Sequence, residues 1–318
     1  MTTCSGRQKR TAISHKLALL CACLLAIAVF SSGGSRAEPL IVKHAQGEVT
    51  LTGTPKRIVV LDFSSLETLD AIGVDVVGVV GALMPAHLAK YTSDAYIKSG
   101  TLFEPDYEAI SAARPDLIIV SARSSPKLRE LSKIAPTIDL STDEADYVGS
   151  AIRNAQLLGR IFGKEAAVEA LVSKLEDSIT AVRATTASAG RGLIILTTGG
   201  KISAYGPMSR FGAIHRDFGV PPAVDSLDTA IHGQSVSFEF IMKSNPDWIF
   251  VLDRDSAIGA RGQPAAQLLN NPLVARTTAW QKQHVVYLDP VRWYLVAGGL
   301  PSLQANVDHL AAAYSAAK

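Results

Sequence analysis

The sequence of 318 residues predicts an α/β fold of two doubly wound lobes that are joined by a single long helix. Three observations lead to this prediction. Strand and helix signals alternate at tight spacing, which is typical of mostly parallel sheets covered by helices. One segment of the chain is repeated about 130 residues later, and a long amphipathic segment lies between the two copies.

The amphipathic segment covers Thr142 to Gly163. Ser141 and Glu144 have the spacing of a capping box, in which two side chains satisfy the first amides of a helix. Apolar residues then recur with the helical period of 3.6, namely Val148, Ala151, Ile152, Ala155, Leu158 and Phe162. Gly163 is a typical helix end. We expect this helix to span roughly 30 Å, about the width of a small lobe.

The repeat flanks this helix on both sides. YEAISAARPDLIIVSAR (107–123) aligns without gaps with FEFIMKSNPDWIFVLDR (238–254). Glu108 matches Glu239, a Pro-Asp pair matches in both copies, and Arg123 matches Arg254. Each copy is typical of a helix that ends before proline, a short buried strand and an arginine beyond the strand. The alternative is that the two segments match by chance.

The remaining elements follow from local patterns. In the first lobe, a buried strand is followed by a helix that is capped by Ser64 or Ser65 and ends at Gly73. Residues 91–103 are polar and irregular, which predicts a surface loop. Residues 135–140 are predicted to form the last strand of this lobe. In the second lobe, 164–182 form an amphipathic helix and 192–198 a core strand.

The first 37 residues have the features of a cleavable signal peptide. Four basic residues precede an apolar run at 17–30, and small residues ending at Ala37 follow it. An uncleaved membrane anchor is the alternative, although the run is short for a bilayer. A lipoprotein signal is disfavoured because Cys21 and Cys23 lie in the middle of the run. The predicted organisation is a signal peptide (1–37), an N-terminal lobe (38–142), an interlobe helix (143–163) and a C-terminal lobe (164–318).

Removal of the signal peptide changes the charge balance. The exported chain keeps 26 of the 31 Lys and Arg residues against 29 Asp and Glu, a net charge near −3. This balance gives no reason to expect nucleic acid as a partner. All three cysteines lie in the removed segment, so the exported protein depends on its hydrophobic core without disulfides.

Catalytic signatures are missing from the sequence. There is no nucleophile elbow, no zinc-protease motif, no phosphate-binding loop and no dinucleotide fingerprint. No two of the six histidines beyond the signal peptide have ligand spacing on one element, which argues against a self-contained zinc site.

Several polar residues follow the predicted strands, where open α/β sheets bind ligands. They are Arg123 in the first lobe and Arg210, His232, Arg254 and Tyr294 in the second. Taken one at a time, an arginine there can form a surface or interlobe salt bridge, His232 can bond to backbone, and Tyr294 can pack as a half-buried aromatic. Three arginines converging on one cleft would suit a multiply anionic ligand.

The order of lobes, the joining helix and the repeated Pro-Asp, strand, arginine pattern resemble the helical-backbone (class III) substrate-binding proteins of ABC importers for iron complexes and cobalamin. Within that class, four stretches are similar to the binding proteins for ferric catecholate siderophores: SRFGAIHRDFG, HGQSVSFEFI, NPDWIFVLDR and LDPVRWYLVAGGL. The resemblance covers residues 39 to 318 and implies a ligand cleft between the lobes.

The resemblance also implies roles for individual residues. His232 and Tyr294 match the residues that coordinate the iron of a tetradentate siderophore, a role consistent with the preference of Fe(III) for oxygen donors. Arg123, Arg210 and Arg254 match the arginines that face catecholate oxygens. Glu108 and Glu239 match the lobe-tip glutamates that dock on the permease. Arg292, which adds a charge next to Trp293, departs from the pattern and either faces the ligand or points to solvent.

We therefore expect a periplasmic, monomeric binding protein without intrinsic cofactor, which takes a ferric siderophore of the tetradentate bis-catecholate kind to an inner-membrane ABC permease. Haem is the alternative ligand, since His and Tyr are also haem ligands. An enzyme on an α/β fold is a further alternative, and a structural or adhesion module is a weaker one still.

Overall fold

The computed structural model describes residue 1 and residues 39–227 and 233–317. Its strands are β1 (Leu40–His44), β2 (Gly47–Leu51), β3 (Ile58–Val60), β4 (Gly78–Val79), β5 (Ile97–Lys98), β6 (Leu117–Val120), β7 (Thr137–Asp139), β8 (Gly192–Thr198), β9 (Lys201–Tyr205), β10 (Gln234–Val236), β11 (Trp248–Asp253) and β12 (Val285–Tyr287). The predicted signal peptide, Met1 apart, and His232 lie outside the described residues.

The α-helices of the described residues are α1 (Phe63–Ala71), α2 (Tyr107–Ala112), α3 (Leu128–Leu131), α4 (Tyr147–Phe162), α5 (Glu165–Thr186), α6 (Ala213–Arg216), α7 (Phe238–Ser244), α8 (Arg254–Ala257), α9 (Ala265–Leu269), α10 (Thr278–Gln281) and α11 (Leu300–Ala316). Short 3₁₀ helices cover Ala86–Thr92, Ser125–Lys127, Glu144–Asp146 and Val274–Arg276, and a π-helix covers Val291–Val296. None of these helices is both long and apolar enough to cross a membrane.

Two five-stranded sheets organise the chain. The first sheet has the order β5-β4-β3-β6-β7 and is parallel throughout. The second has the order β10-β9-β8-β11-β12, in which β8, β11 and β12 run parallel and β9 is antiparallel to its neighbours. In both sheets the chain winds outward from a central strand in one direction and then returns to wind in the other. The predicted fold of two doubly wound α/β lobes is confirmed.

The sequence repeat is also a structural repeat. Helices α2 and α7 begin at equivalent caps, where the side chains of Asp106 and Ser237 accept hydrogen bonds from the amides of Ala109 and Phe240. The aspartates of the two Pro-Asp pairs accept from the amides that precede the central strands, from Arg57 in the first lobe and from Arg191 in the second. Each repeat strand then pairs in parallel with its central strand. These shared contacts make a chance match untenable.

The chain passes between the two sheets once, through α4 and the following α5. Helix α4 ends at Gly163, whose φ of 63° is the left-handed conformation that favours glycine. The predicted capping box is wrong. Ser141 donates instead to Asp139, while Asp143 caps the 3₁₀ turn before α4, so the buried acceptor Asp139 determines where Ser141 points. The predicted lobe boundaries stay a prediction.

Two further local predictions are wrong. Helix α1 is capped by Asp62, which accepts from the amide of Ser65, because the carboxylate at the end of β3 already lies at the helix start. Residues 91–103 contain the edge strand β5, and Tyr91 is buried with its hydroxyl donating to Asp70. A two-residue strand is too short to give a period in sequence.

Helix α11 packs on α5 and on α1 and ties the lobes together. The buried carboxylate of Glu67 on α1 accepts hydrogen bonds from the amide and the hydroxyl of Ser302 in the first turn of α11, at 3.0 and 2.8 Å. His87 contacts the same carboxylate at 2.8 Å. A methyl group at Gly299 would overlap this carboxyl group and displace it.

Candidate functional site

Arg123 and Arg254 lie at equivalent edges of the two sheets. Arg123 follows β6, which lies next to the central strand β3, and Arg254 follows β11, which lies next to the central strand β8. The winding direction of the chain reverses at each of these central strands. Ligands of open α/β sheets bind at such switch points. Ala122, next to Arg123, has a φ of 46°, a conformation that is uncommon for residues other than glycine. Strain of this kind is concentrated at functional sites.

Tyr294 is presented by the π-helix Val291–Val296. Asp289 starts this turn by accepting hydrogen bonds from the amides of Val291 and Arg292, both at 3.0 Å. The turn ends at Ala297, which has a φ of 47°. π-helical turns are rare and are found frequently at functional sites. Sequence periodicity does not distinguish a single π turn from a loop.

Three arginines surround Tyr294, and we call this arrangement the Tyr294 cluster. Arg254 donates from Nε to the phenolic oxygen at 2.9 Å, and Arg123 donates from Nη2 to the main-chain carbonyl at 2.7 Å. Arg210 donates to the same carbonyl at 3.5 Å. The guanidinium groups of Arg123, Arg210 and Arg254 lie 5.2, 4.7 and 5.6 Å from the centre of the tyrosine ring. The structure thus brings together four of the five residues that the sequence singled out.

The concentration of positive charge perturbs the cluster. Burial and then the charge of Arg210 lower the pKa of Arg123. Burial alone would raise the pKa of Tyr294, but the hydrogen bond from Arg254 and the charges of all three arginines outweigh it, so this pKa lies below its ordinary value. The site therefore favours negative charge at the phenolic oxygen.

Arg254 is held in place by the loop after β8. Its Nη1 atom donates to Thr198 Oγ1 at 3.3 Å, and Thr198 donates in turn to the carboxylate of Asp255 at 2.9 Å. The other oxygen of Asp255 accepts from the amide of Gly199 at 2.7 Å. Sequence reasoning missed Thr198 and Asp255. Both residues lie at the end of a predicted strand or just after it, and the loops after parallel strands lie at one edge of a sheet. This position in the sequence could have predicted that they lie near Arg254.

Arg292 belongs to a different environment. Its guanidinium contacts Asp289 at 3.4 Å and donates to Ser302 Oγ at 3.2 Å, next to the buried Glu67. The side chain thus joins the interlobe contact of α11 rather than the Tyr294 cluster. The alternative that Arg292 points to solvent is wrong as well, since three-quarters of the side chain is covered.

Glu108 and Glu239 are exposed, one on each lobe. Each lies in the first turn of its repeat helix, α2 or α7, beside the capping residue. A hydrogen bond from Ser237 holds the pKa of Glu239 below its ordinary value. Both carboxylates are free to meet a partner surface, and their docking role stays a prediction.

Phe103 lies at the rim of the cluster and was not singled out from the sequence. The residue is 57% exposed, and the guanidinium of Arg123 lies 5.9 Å from the centre of its ring. Within residues 39–227 and 233–317, no group of three or more His, Cys, Asp or Glu side chains is arranged to hold a metal ion.

The chain is similar in sequence and structure to proteins that bind siderophores. It is 41% identical over 310 residues to the petrobactin-binding protein YclQ of Bacillus subtilis, covering 93% of this chain and 98% of that protein. The crystal structure of YclQ superposes with a TM-score of 0.84, covering 87% of this chain and 99% of that one.

Two further solved structures are similar. The periplasmic catecholate-siderophore binding protein VctP of Vibrio cholerae is 33% identical with a TM-score of 0.83, covering 86% of this chain and all of that one. The siderophore-binding protein BauB, bound to two molecules of acinetobactin and ferric iron, is 34% identical with a TM-score of 0.81, covering 87% and 99%. Residues 58–291 match the family profile described as periplasmic binding protein. The chain belongs to the periplasmic binding protein family.

Proposed function

We propose that this protein captures a ferric catecholate siderophore and delivers it to the permease of an ABC importer. The observation that carries the proposal is the Tyr294 cluster, in which three guanidinium groups and one phenol meet between two doubly wound sheets. The similarity to proteins named for petrobactin and catecholate siderophores supports the same ligand class.

The chemistry of the cluster suits such a ligand. A ferric complex of catecholates is an anion with charge spread over several oxygens, and planar guanidinium groups pair well with oxygens of this kind. Because Arg123 and Arg210 are partly buried, their attraction for an anion is less screened than at an open surface. Fe(III) prefers oxygen donors, and a tyrosine of lowered pKa can supply one as phenolate.

The remaining parts of the proposal follow from this role. The protein binds its ligand without making or breaking covalent bonds in it, so it is not an enzyme and carries no intrinsic cofactor. It acts in the periplasm after removal of residues 1–37, as a monomer, and has no nucleic-acid partner. Tyr294 and His232 complete the iron coordination, the three arginines face the siderophore oxygens, and Glu108 and Glu239 dock on the permease.

The test is a visible absorption and fluorescence titration of the purified protein without its first 37 residues. The probes are the ferric complex of bis(2,3-dihydroxybenzoyl)lysine and haemin. We expect saturable binding of the ferric catecholate with a shifted charge-transfer band. A Soret band formed with haemin, without binding of the catecholate complex, would replace the proposed ligand by haem.

A further inference from the structure

Phe103 is an aromatic side chain that is exposed on a rigid turn. The amides of Phe103 and Glu104 donate to Thr101 Oγ1 at 3.2 and 3.0 Å, and Thr101 donates its own amide to the Glu104 carbonyl at 2.9 Å. Gly100 closes the turn with a φ of 94°, at a position where a side chain would overlap the main chain of Glu104. The exposure of Phe103 is therefore imposed by the local fold.

The turn is also attached to the body of the first lobe. Leu102 is buried and lines the small cavity beneath Arg123, so its side chain anchors the turn from below. Glu104 forms an ion pair of 3.0 Å with Lys127 on the other side. With both neighbours held, the ring of Phe103 has a defined place at the rim of the Tyr294 cluster.

The ring of Phe103 is the outer end of a stack of rings and cations. The guanidinium of Arg123 lies over the rings of both Phe103 and Tyr294, at 5.9 and 5.2 Å from the two ring centres. Arg210 lies between Tyr294 and Phe211, at 4.7 and 4.8 Å. Phe211 is buried, whereas Phe103 keeps 57% of its surface exposed. One face of Phe103 is thus occupied by a cation, and the other is available to a ligand.

We propose that Phe103 is a specificity-determining residue that stacks against an aromatic ring of the bound siderophore. This inference rests on the proposed function and adds a contact to the arginines, which recognise charge but not aromaticity. The cation behind Phe103 draws electron density from the free face of the ring. Two stacked aromatic rings repel each other when the facing surfaces of both are negative. Because the free face of Phe103 is less negative than that of a phenylalanine without a neighbouring cation, it stacks better on the electron-rich ring of a catecholate.

The test compares matched variants with the ferric and gallium complexes of bis(2,3-dihydroxybenzoyl)lysine. Phe103→Leu keeps an apolar side chain without a ring, Phe103→Tyr keeps the ring, and Tyr287→Leu removes an exposed ring beside His309 in a groove on the second lobe. We expect Phe103→Leu to bind the ferric complex about threefold to tenfold more weakly than the wild type. The other two variants should stay within about twofold of the wild type.

The gallium complex, which is diamagnetic, supplies a second measurement by proton NMR. Stacking on Phe103 should shift the catechol protons upfield in the wild type and in Phe103→Tyr, and this shift should disappear in Phe103→Leu. Unchanged affinity of Phe103→Leu, or an upfield shift that persists in it, would overturn the inference. Failure of the wild type to bind the ferric complex would instead reject the proposed function, and the inference with it.

Discussion

The Nε atom of Arg254 donates a hydrogen bond of 2.9 Å to the phenolic oxygen of Tyr294. Arg254 is the first residue of α8 and Tyr294 lies in the π-helix Val291–Val296, and Arg123 approaches the same tyrosine from the first lobe. This contact pairs a permanent cation with a group that can become an anion. It therefore makes the ionisation of Tyr294 a direct reporter of the cluster.

We predict that Tyr294 ionises at lower pH than the ordinary tyrosine value of about 10. Because the folded pKa is the lower one, the folded protein releases this proton first. The resulting stabilisation is fully present above the unfolded pKa and is lost as the pH falls through the folded pKa. The measurement is the tyrosinate absorbance of wild type minus Tyr294→Phe as a function of pH. Burial raises the pKa of Tyr147 and of Tyr314, so these residues do not interfere.

Arg254→Gln should move that difference curve to higher pH, since it removes the donor and a positive charge. Arg191→Gln, which alters an arginine bonded to Ala223 away from the cluster, is the control and should leave the curve in place. A wild-type curve centred at or above the ordinary tyrosine value would contradict the prediction.

Iron coordination by the protein is the second prediction. If His232 and Tyr294 complete the iron sphere, His232→Ala and Tyr294→Phe should weaken binding of a tetradentate bis-catecholate by about tenfold or more. A hexadentate tris-catecholate already saturates the metal, so its affinity should depend on the three arginines instead. Fluorescence titration of each variant with both ferric complexes measures the difference. Equal small effects on the two complexes would mean that both residues only line the cleft.

Permease docking is the third prediction. Glu108→Lys and Glu239→Lys each reverse an exposed charge in the first turn of a repeat helix. We expect either change to impair growth on the ferric siderophore as the iron source, while the affinity of the purified protein stays unchanged. Glu169→Lys, on the exposed side of α5, is the matched control. Loss of ligand binding by purified Glu239→Lys would show that this residue is not a docking residue.

The interlobe contact of Glu67 gives the fourth prediction. Glu67→Ala leaves the buried amide and hydroxyl of Ser302 without their acceptor, which costs about 1–3 kcal/mol and lowers the Tm by roughly 2–5 °C. Gly299→Ala should have a similar effect, because the added methyl group displaces the same carboxylate.

The double variant separates this mechanism from independent damage. Since both changes remove one interaction, their effects on Tm should be clearly less than additive. Gly53→Ala, at a site with open space around the added methyl group, should leave the Tm unchanged. If the effects of Glu67→Ala and Gly299→Ala on the Tm were fully additive, the methyl group at residue 299 would not act by displacing the Glu67 carboxylate.

The two-lobe fold and the cluster arginines that follow the repeat strands could be predicted from the sequence. Residues in a gap-free repeat adopt the same local structure, and parallel strands deliver the residues after them to one edge of the sheet. Arg123 and Arg254 were therefore predictable from their position alone. Arg210 and Tyr294 do not belong to the repeat; their positions after predicted strands singled them out, and the resemblance to a family implied their roles.

Tertiary contacts determine which polar side chains meet. Asp62 rather than Ser64 caps α1, Arg292 turns toward Ser302, and Phe103 is held beside Arg123. Each of these contacts depends on a partner that is distant in sequence or on competition between nearby acceptors. Because neither cause produces a periodic pattern in the sequence, these contacts could not be predicted from it. The buried carboxylate of Glu67 has the same origin, because its stabilising donors lie on α11, 235 residues away.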